Sequence, residues 1–256
     1  MVENCVILNE IQKLHFGYGF PLFVAPMILL CSNRSPSMWQ NWTSAFWRIL
    51  AFDMCDSLRR RHIALSYGVL PAVLQDLAKH MGRPLTVKNM GSGVGLDTLH
   101  AALSGNGDIA TLLNYDTDKQ AVSLGQRVTK HLEYAHLLEK GIVEFIPKSI
   151  TKSFEPADMI VKIGVICRLE DPVAQMLIAG DYNILNEGGK LVISSSNENM
   201  RNRDPLAGFL IQHIGTREHP KKGWRLNFRT KEALFQLLTQ AGSVVDPGWI
   251  FGYPYL

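Results

Sequence analysis

The chain has little of what would settle its chemistry at a glance. It has four cysteines in 256 residues, Cys5, Cys31, Cys55 and Cys167. They lie far apart, with no C-x-x-C pair and no Cys/His cluster, so neither a zinc site nor a disulfide framework is suggested. Such usage suits a reducing compartment. We expect a cytoplasmic protein in which Cys167 is a small buried hydrophobe. Charge of one sign is also scarce. The net charge is +3, and no like-charge block exceeds Arg59-Arg60-Arg61, which argues against a nucleic-acid partner. Long apolar runs are missing too. The most apolar stretch, Phe20 to Cys31 (FPLFVAPMILLC), is a dozen residues with two prolines, and a bilayer span needs about 20. It lacks the basic flank and small-residue cleavage site of a signal peptide. We expect no membrane contact, and a segment packed on the core or on a partner chain, which makes the N-terminal part a candidate homodimer contact. Without secretion the sequon Asn41-Trp42-Thr43 carries no meaning. No internal repeat, low-complexity tract or clear linker occurs.

What is present is an ordinary globular composition, 46% apolar and 19% charged, long enough to bury a substantial core. The informative stretch is Leu85 to Leu99, LTVKNMGSGVGLDTL. It reads as a buried strand, a glycine turn and the start of a helix. Gly91, Gly93 and Gly95 alternate as G-x-G-x-G. Glycine permits positive φ and close approach of another molecule to the backbone. The first amides of the following helix are unpaired within it and carry the positive end of its dipole. Together these make a seat for a nucleotide-like ligand. An ordinary strand-to-helix turn that needs glycine for tightness would read the same way. The stretch Asp108 to Asp116 reads as a second strand ending in an acid. Asp116 falls about 20 residues after the glycines, where a carboxylate grips ribose hydroxyls in nucleotide-binding α/β folds. It could instead cap the helix Lys119–Leu132, a role that Asp118 could take as well.

These motifs together, NMGSGVGLDTL followed by LLNYDTDKQAVSLGQRV, resemble the core of the class I S-adenosylmethionine-dependent methyltransferases. The turn lacks the third glycine spacing of the dinucleotide dehydrogenases, G-x-G-x-x-G, which ranks a nicotinamide oxidoreductase lower. The resemblance runs, more loosely, from about Leu85 to Tyr253. It implies an α/β, Rossmann-like, mainly parallel seven-stranded sheet with helices on both faces over residues 83–256, preceded by a helical extension or lid over residues 1–82. The strand–helix alternation from Leu85 onward independently argues for such a parallel sheet. The implied cofactor is S-adenosyl-L-methionine. The resemblance assigns its contacts to Asn89, Gly91, Ser92, Gly93, Gly95, Asp116, Thr117, Ser149, Ile150, Ile163 and Gly164. Two positions depart from the family. Asn89 stands where an acid usually precedes the turn, so the charge that would meet the ligand's ammonium group is missing. Lys148-Ser149-Ile150 stands where a loop acid often meets the adenine amine; Ser149 can accept a hydrogen bond there and Ile150 can pack on the ring.

The rest of the chain supplies the frame. Residues 37–81 read as helical, with Trp39, Trp42, Phe46, Trp47 and Leu50 at helical spacing. That stripe faces the core or roofs a substrate pocket. Pro71 kinks or restarts the helix, and Gly82 with Pro84 ends it. In the resembling family such helices cover the cofactor, which makes Tyr67 and Arg60 or Arg61 candidate acceptor contacts; a packed tyrosine and a surface charge cluster are the plain alternatives. Further strands are expected at Gly141–Ile146, Asp158–Ile166, Lys190–Ser194, Trp224–Phe228 and Trp249–Tyr253. Helices are expected at Val173–Leu185, Leu206–Ile214 and Thr230–Ala241, the last capped by Thr230. By the resemblance, Cys167 and Arg168 face the acceptor. His213, His219 and Tyr67 are the candidate catalytic groups, although a lone histidine is more often structural. Sulfonium chemistry needs donor and acceptor held in line, and a base only where the acceptor must lose a proton, so no catalytic cluster need be visible. The segment Ile163 to Arg168 lacks the Asn/Asp-Pro-Pro-Tyr/Phe motif of the enzymes that methylate bases or glutamine. A small-molecule acceptor is therefore expected. Two alternatives stay open: aminocarboxypropyl transfer, as in nicotianamine synthase-like enzymes, and a non-catalytic binding protein that keeps the fold.

Overall fold

The structure, a computed structural model, describes residues 64–104, 107–152, 154–195 and 227–242. The chain divides into two compact units between Ser149 and Ile150.

The first unit begins with a π-helical turn, Ala64–Val69, that leads into α1, Leu70–Met81. Pro71 sits in the first turn of α1, directly after the π-helical turn; lacking an N–H, it cannot continue that turn's bonding, and it restarts the helix. Leu70, Val73, Leu74, Leu77 and Ala78 are buried, the i, i+3, i+4 spacing of a core-facing stripe. The strands β1 (Leu85–Met90), β2 (Ile109–Asp116) and β3 (Val143–Pro147) follow, with α2 (Leu96–Ser104) between the first two and α3 (Lys119–Tyr134) between the last two. They pair in parallel in the order β3-β2-β1, with Val87 beside Leu112, Asn89 beside Asn114, and Asn114 beside Phe145. Parallel pairing requires crossovers, and the two helices supply them. Leu85, Val87, Leu112, Val143 and Phe145 are buried from the sheet, and Leu96, Leu99, Val122, Val128 and Leu132 from the helices. Each such side chain contributes about 1.5–3 kcal/mol relative to an exposed one. A Cβ on Gly125 of α3 would run into the Phe145 ring, so the smallest residue lets this helix lie directly on β3. The Asp118 carboxylate accepts from the N–H groups of Gln120 and Ala121 and caps α3.

The second unit holds β4 (Ala157–Ile163), a 3₁₀ turn (Ile166–Arg168), α4 (Asp171–Asn183), β5 (Leu185–Ser194) and α5 (Lys231–Gln240). β4 and β5 are parallel. Ile166, Ala174, Ile178, Leu237 and Ala241 form a buried cluster that joins the turn, α4 and α5. Thr230 caps α5, as expected, by accepting from the Ala233 N–H. The expected boundaries at β4, α4 and β5 need correction. β4 ends at Ile163 and not at Ile166, because Gly164 turns the backbone left-handed at φ +69 and the 3₁₀ turn follows. The helix begins at Asp171 because Pro172 is accommodated in its first turn. The glycines that were expected to precede β5 lie inside it. The pairing jumps from Ala157–Leu185 to Met159–Lys190, so Asn186 to Gly189 bulge out. Asn186 Nδ2 donates to Asp158 Oδ1 at 2.7 Å, and a Cβ on Gly189 would fall 2.8 Å from the Asn186 carbonyl oxygen. The side-chain bond closes the bulge and the glycine gives it room.

Five parallel-paired strands are thus described, out of seven expected. Of Trp224–Phe228 only Asn227 and Phe228 are described, and neither is in a strand. Trp249–Tyr253, the helix Leu206–Ile214 and the aromatic stripe before residue 64 lie outside the described residues.

Candidate functional site

The glycine turn joins β1 to α2 and is tied to the end of β2. The N–H groups of Gly91 and Ser92 donate to the Tyr115 carbonyl at 2.8 and 3.0 Å, and the Gly95 N–H donates to the Ser92 carbonyl at 2.8 Å. The Gly93 N–H donates to Asp116 Oδ2 at 2.7 Å. These four amides of the turn are therefore spent within the chain; the expected amide seat concerns the first turn of α2, which begins at Leu96. Within the turn itself, what remains for a ligand is shape. Gly93 has φ +54, and a Cβ there would meet nothing within 4 Å. Gly95 is different: a Cβ would lie 2.7 Å from the Phe145 ring and 2.8 Å from Asn114 Oδ1. One glycine leaves space open above the turn, and the other lets the turn sit down on the core.

Asp116 is half-buried at the end of β2. Besides the Gly93 bond, its Oδ1 accepts from the Asp118 N–H at 2.9 Å. Asp118 has taken the capping role, which leaves Asp116 as the acid facing the turn. A carboxylate accepting two backbone N–H bonds is oriented and still has lone pairs to offer. Thr117 beside it is exposed.

Beneath the turn lies a buried polar network. Asn89 Nδ2 donates to Thr98 Oγ1 at 2.9 Å and to Asn114 Oδ1 at 3.0 Å. Thr98 Oγ1 lies 3.0 Å from the Gly95 carbonyl oxygen and 3.1 Å from Asn114 Oδ1, with one proton to give between them. Asn89, Thr98 and Asn114 are all buried. The network fastens the start of α2 to β1 and β2, and it turns the Asn89 amide nitrogen inward.

The π-helical turn closes on the same helix. Ser66 Oγ donates to Asp97 Oδ1 at 3.2 Å, and the Tyr67 ring tilts over His100 with centroids 5.2 Å apart. Tyr67 remains 45% exposed. Burial raises its phenol above the ordinary value, so at neutral pH it is a hydrogen-bond donor and not a base. On the β3 side, the Lys148 N–H donates to the Asp116 carbonyl at 3.0 Å, and its ammonium lies 5.9 Å from the Tyr115 ring centroid. Ser149 and Ile150 are half-buried.

In the second unit, Ile163 ends β4 half-buried. Gly164 follows at φ +69, its N–H donating to Ser194 Oγ at 2.9 Å. The loop after β4 is held by Arg229, which is 6% exposed. Its guanidinium donates to the Ile166 and Leu169 carbonyls at 2.9 and 2.6 Å, and to Asp171 Oδ1 through both Nε and Nη2. Asn227 Nδ2 donates to the Leu169 carbonyl at 2.8 Å. Cys167 is buried, as expected, with Sγ donating to the Gly164 carbonyl at 3.4 Å. Among the described residues no group of three metal-ligating side chains occurs, and no helix is long and apolar enough to cross a membrane.

No family model matches the chain, and no curated protein matches it. Solved structures do. An O-methyltransferase family protein from Burkholderia thailandensis aligns with a TM-score of 0.51 at 18% identity, over 75% of this chain and 55% of that one. Human N-acetylserotonin methyltransferase, in complex with S-adenosylmethionine, aligns with a TM-score of 0.51 at 17% identity, over 85% of this chain and 59% of that one. The fold is that of the class I methyltransferases. The chain spans a little over half the length of these two structures.

In the methyltransferase fold the glycine turn and the acid at the end of β2 are brought together as the spacing implied, by a direct bond between Gly93 and Asp116. His213 and His219 lie outside the described residues, as do Arg60 and Arg61. Sequence reading passed over Asp97, although a carboxylate two residues past the last glycine was a usable signal. It also passed over Arg229, for which the local sequence holds no signal: its partners are about 60 residues away.

Proposed function

We propose that this chain is an S-adenosylmethionine-dependent methyltransferase that acts on a small-molecule acceptor. The observation that carries this reading is the Asp116 carboxylate, held against the open glycine at position 93. The site fits the cofactor in two respects. Open space above Gly93 admits a flat nucleoside close to the backbone, and Asp116 retains acceptor capacity for ribose hydroxyls. The turn also lacks the G-x-G-x-x-G spacing of the dinucleotide dehydrogenases, which favours this cofactor over a dinucleotide.

In this reading Ser92 and Gly91 shape the turn, while Thr117, Ser149 and Ile150 border the adenosine. The family resemblance assigns Ile163 and Gly164 to the methionine part. When bound, the cofactor supplies an electrophilic methyl group open to in-line displacement. The protein's task is then to position donor and acceptor and to exclude water. Tyr67 can donate a hydrogen bond to the acceptor. Should the acceptor have to lose a proton, His213 and His219 are the candidate bases. In this reading the helical extension over residues 1–82 serves as a cover for the site, and its beginning as a homodimer contact. The Ser66–Asp97 and Tyr67–His100 contacts support the first of these roles. The modest net charge of +3 and the absence of a Pro-Pro motif after β4 support a small metabolite over nucleic acid.

Calorimetric titration with S-adenosylmethionine, S-adenosylhomocysteine and NAD tests the reading. We expect micromolar binding of the first two and none of NAD. Binding of NAD alone, or of none of the three, would overturn it.

A further inference from the structure

We infer that Arg229 is a positioning residue: it sets the course of the loop after β4, and through that loop the amino-acid end of the cofactor site. This rests on the cofactor reading above, which gives Ile163 and Gly164 to the methionine part.

The loop runs from Gly164 to Glu170, between β4 and α4. Its start is fixed on β5, where Ser194 Oγ accepts from the Gly164 N–H at 2.9 Å. Its remainder is held from one short stretch. The Asn227 N–H donates to the Cys167 carbonyl at 2.6 Å, and Asn227 Nδ2 donates to the Leu169 carbonyl at 2.8 Å. Arg229 Nη1 donates to the Ile166 carbonyl at 2.9 Å, and Nη2 to the Leu169 carbonyl at 2.6 Å. Nε and Nη2 both reach Asp171 Oδ1, at 2.9 and 2.6 Å. Arg229 lies 58 to 63 positions beyond these partners. Filling space does not call for a guanidinium that is 6% exposed, since a buried charge carries a desolvation cost that an apolar side chain avoids. The apolar cluster of Ile166, Ala174, Ile178, Leu237 and Ala241 already joins the turn to α4 and α5. What arginine alone supplies is a rigid planar fork of donors that meets several fixed acceptors at once. Such a fork specifies a backbone path. With both ends fixed, the loop is formed before any ligand arrives, and a group laid along Gly164 does not have to order it on binding. The plain alternative is an arginine that only stabilises this unit. The two roles differ in one measurable respect: stabilisation affects every ligand alike, whereas positioning depends on whether the ligand carries the amino-acid end.

The test is titration of wild-type, Arg229→Met, Arg229→Lys and Asn227→Ala proteins with S-adenosylhomocysteine and with 5′-methylthioadenosine. The second ligand keeps adenine and ribose and lacks the amino-acid end. Arg229→Met removes every bond of the fork and is expected to weaken S-adenosylhomocysteine about tenfold or more, the scale of a charged hydrogen bond. Arg229→Lys keeps the charge without the fork and is expected to recover part of this, with a loss of about fivefold. Asn227→Ala removes one neutral bond to Leu169 and is expected to cost about threefold. Methylthioadenosine should stay within about twofold in all three. An unchanged ratio of the two affinities in folded Arg229→Lys and Asn227→Ala proteins would overturn the inference, and so would an equal loss of both ligands. Failure of all three variants to fold would overturn it as well, because the arginine would then hold the whole unit and not the loop. Wild-type protein that binds methylthioadenosine as tightly as S-adenosylhomocysteine would remove the amino-acid end from the site and the inference with it. Wild-type protein that binds neither ligand would overturn the cofactor reading itself.

Discussion

Gly93 and Gly95 stand two residues apart in one motif and share a left-handed backbone, φ +54 and +73, but differ in what a Cβ would meet. At Gly93 a Cβ meets nothing. At Gly95 Phe145 and Asn114 occupy the space. Their variants should therefore fail differently. Gly93→Val carries a left-handed backbone cost of about 1–2 kcal/mol but no internal clash. We expect a folded protein whose binding of S-adenosylhomocysteine is lost to calorimetry. Gly95→Ala carries the same backbone cost plus overpacking of about 1–3 kcal/mol. We expect a drop of about 2–5 kcal/mol in denaturant melts. A Gly93→Val protein with full affinity would show that the turn is only a turn. Sequence alone could not separate these two glycines, because spacing identifies a motif and not the neighbour each position faces.

At the scale of elements, β4 and α4 are joined by a buried ion pair, Lys162 Nζ to Asp181 Oδ2 at 2.5 Å, with side chains 0% and 6% exposed. Burial lowers the lysine and raises the aspartate, and in both it outweighs the attraction between them. The signs for stability follow. Between its folded value and the ordinary 10.5, Lys162 binds fewer protons folded than unfolded, so its contribution rises with pH through that window. Between the ordinary 3.8 and its raised folded value, Asp181 binds more protons folded than unfolded, so its contribution falls as pH rises. Asp181→Leu alone strands a buried cation and should cost about 3–5 kcal/mol at pH 7. The double variant Lys162→Met/Asp181→Leu should recover to neutral or gain about 1–4 kcal/mol. It should also flatten both slopes in melts taken across pH. A double variant as damaged as the single one would mean that the pair does more than fill space. Lys162 was visible in the sequence only as one polar residue within an apolar strand. Its partner lies 19 positions on, in a helix whose register was not known.

Across the whole molecule, what could be read early is what depends on neighbours in the chain. The glycine turn, the acid at the end of β2, the caps at Asp118 and Thr230 and the restart at Pro71 are each set by a few consecutive residues. The bulge in β5, the inward turn of Asn89 and the Arg229 clasp each need a partner from a distant element, and no spacing rule supplies it. The ligand reading belongs to this largest scale because binding stabilises the folded state as a whole. A ligand at a hundred times its dissociation constant adds about 2.7 kcal/mol. For a chain of 256 residues, each kcal/mol moves the melting temperature by about 2–4 °C. Saturating S-adenosylhomocysteine should therefore raise Tm by about 5–10 °C. NAD at the same concentration should leave it unmoved, because the turn carries G-x-G-x-G and not the G-x-G-x-x-G of the dinucleotide dehydrogenases. A shift with NAD and none with S-adenosylhomocysteine would mean that the fold serves a different cofactor.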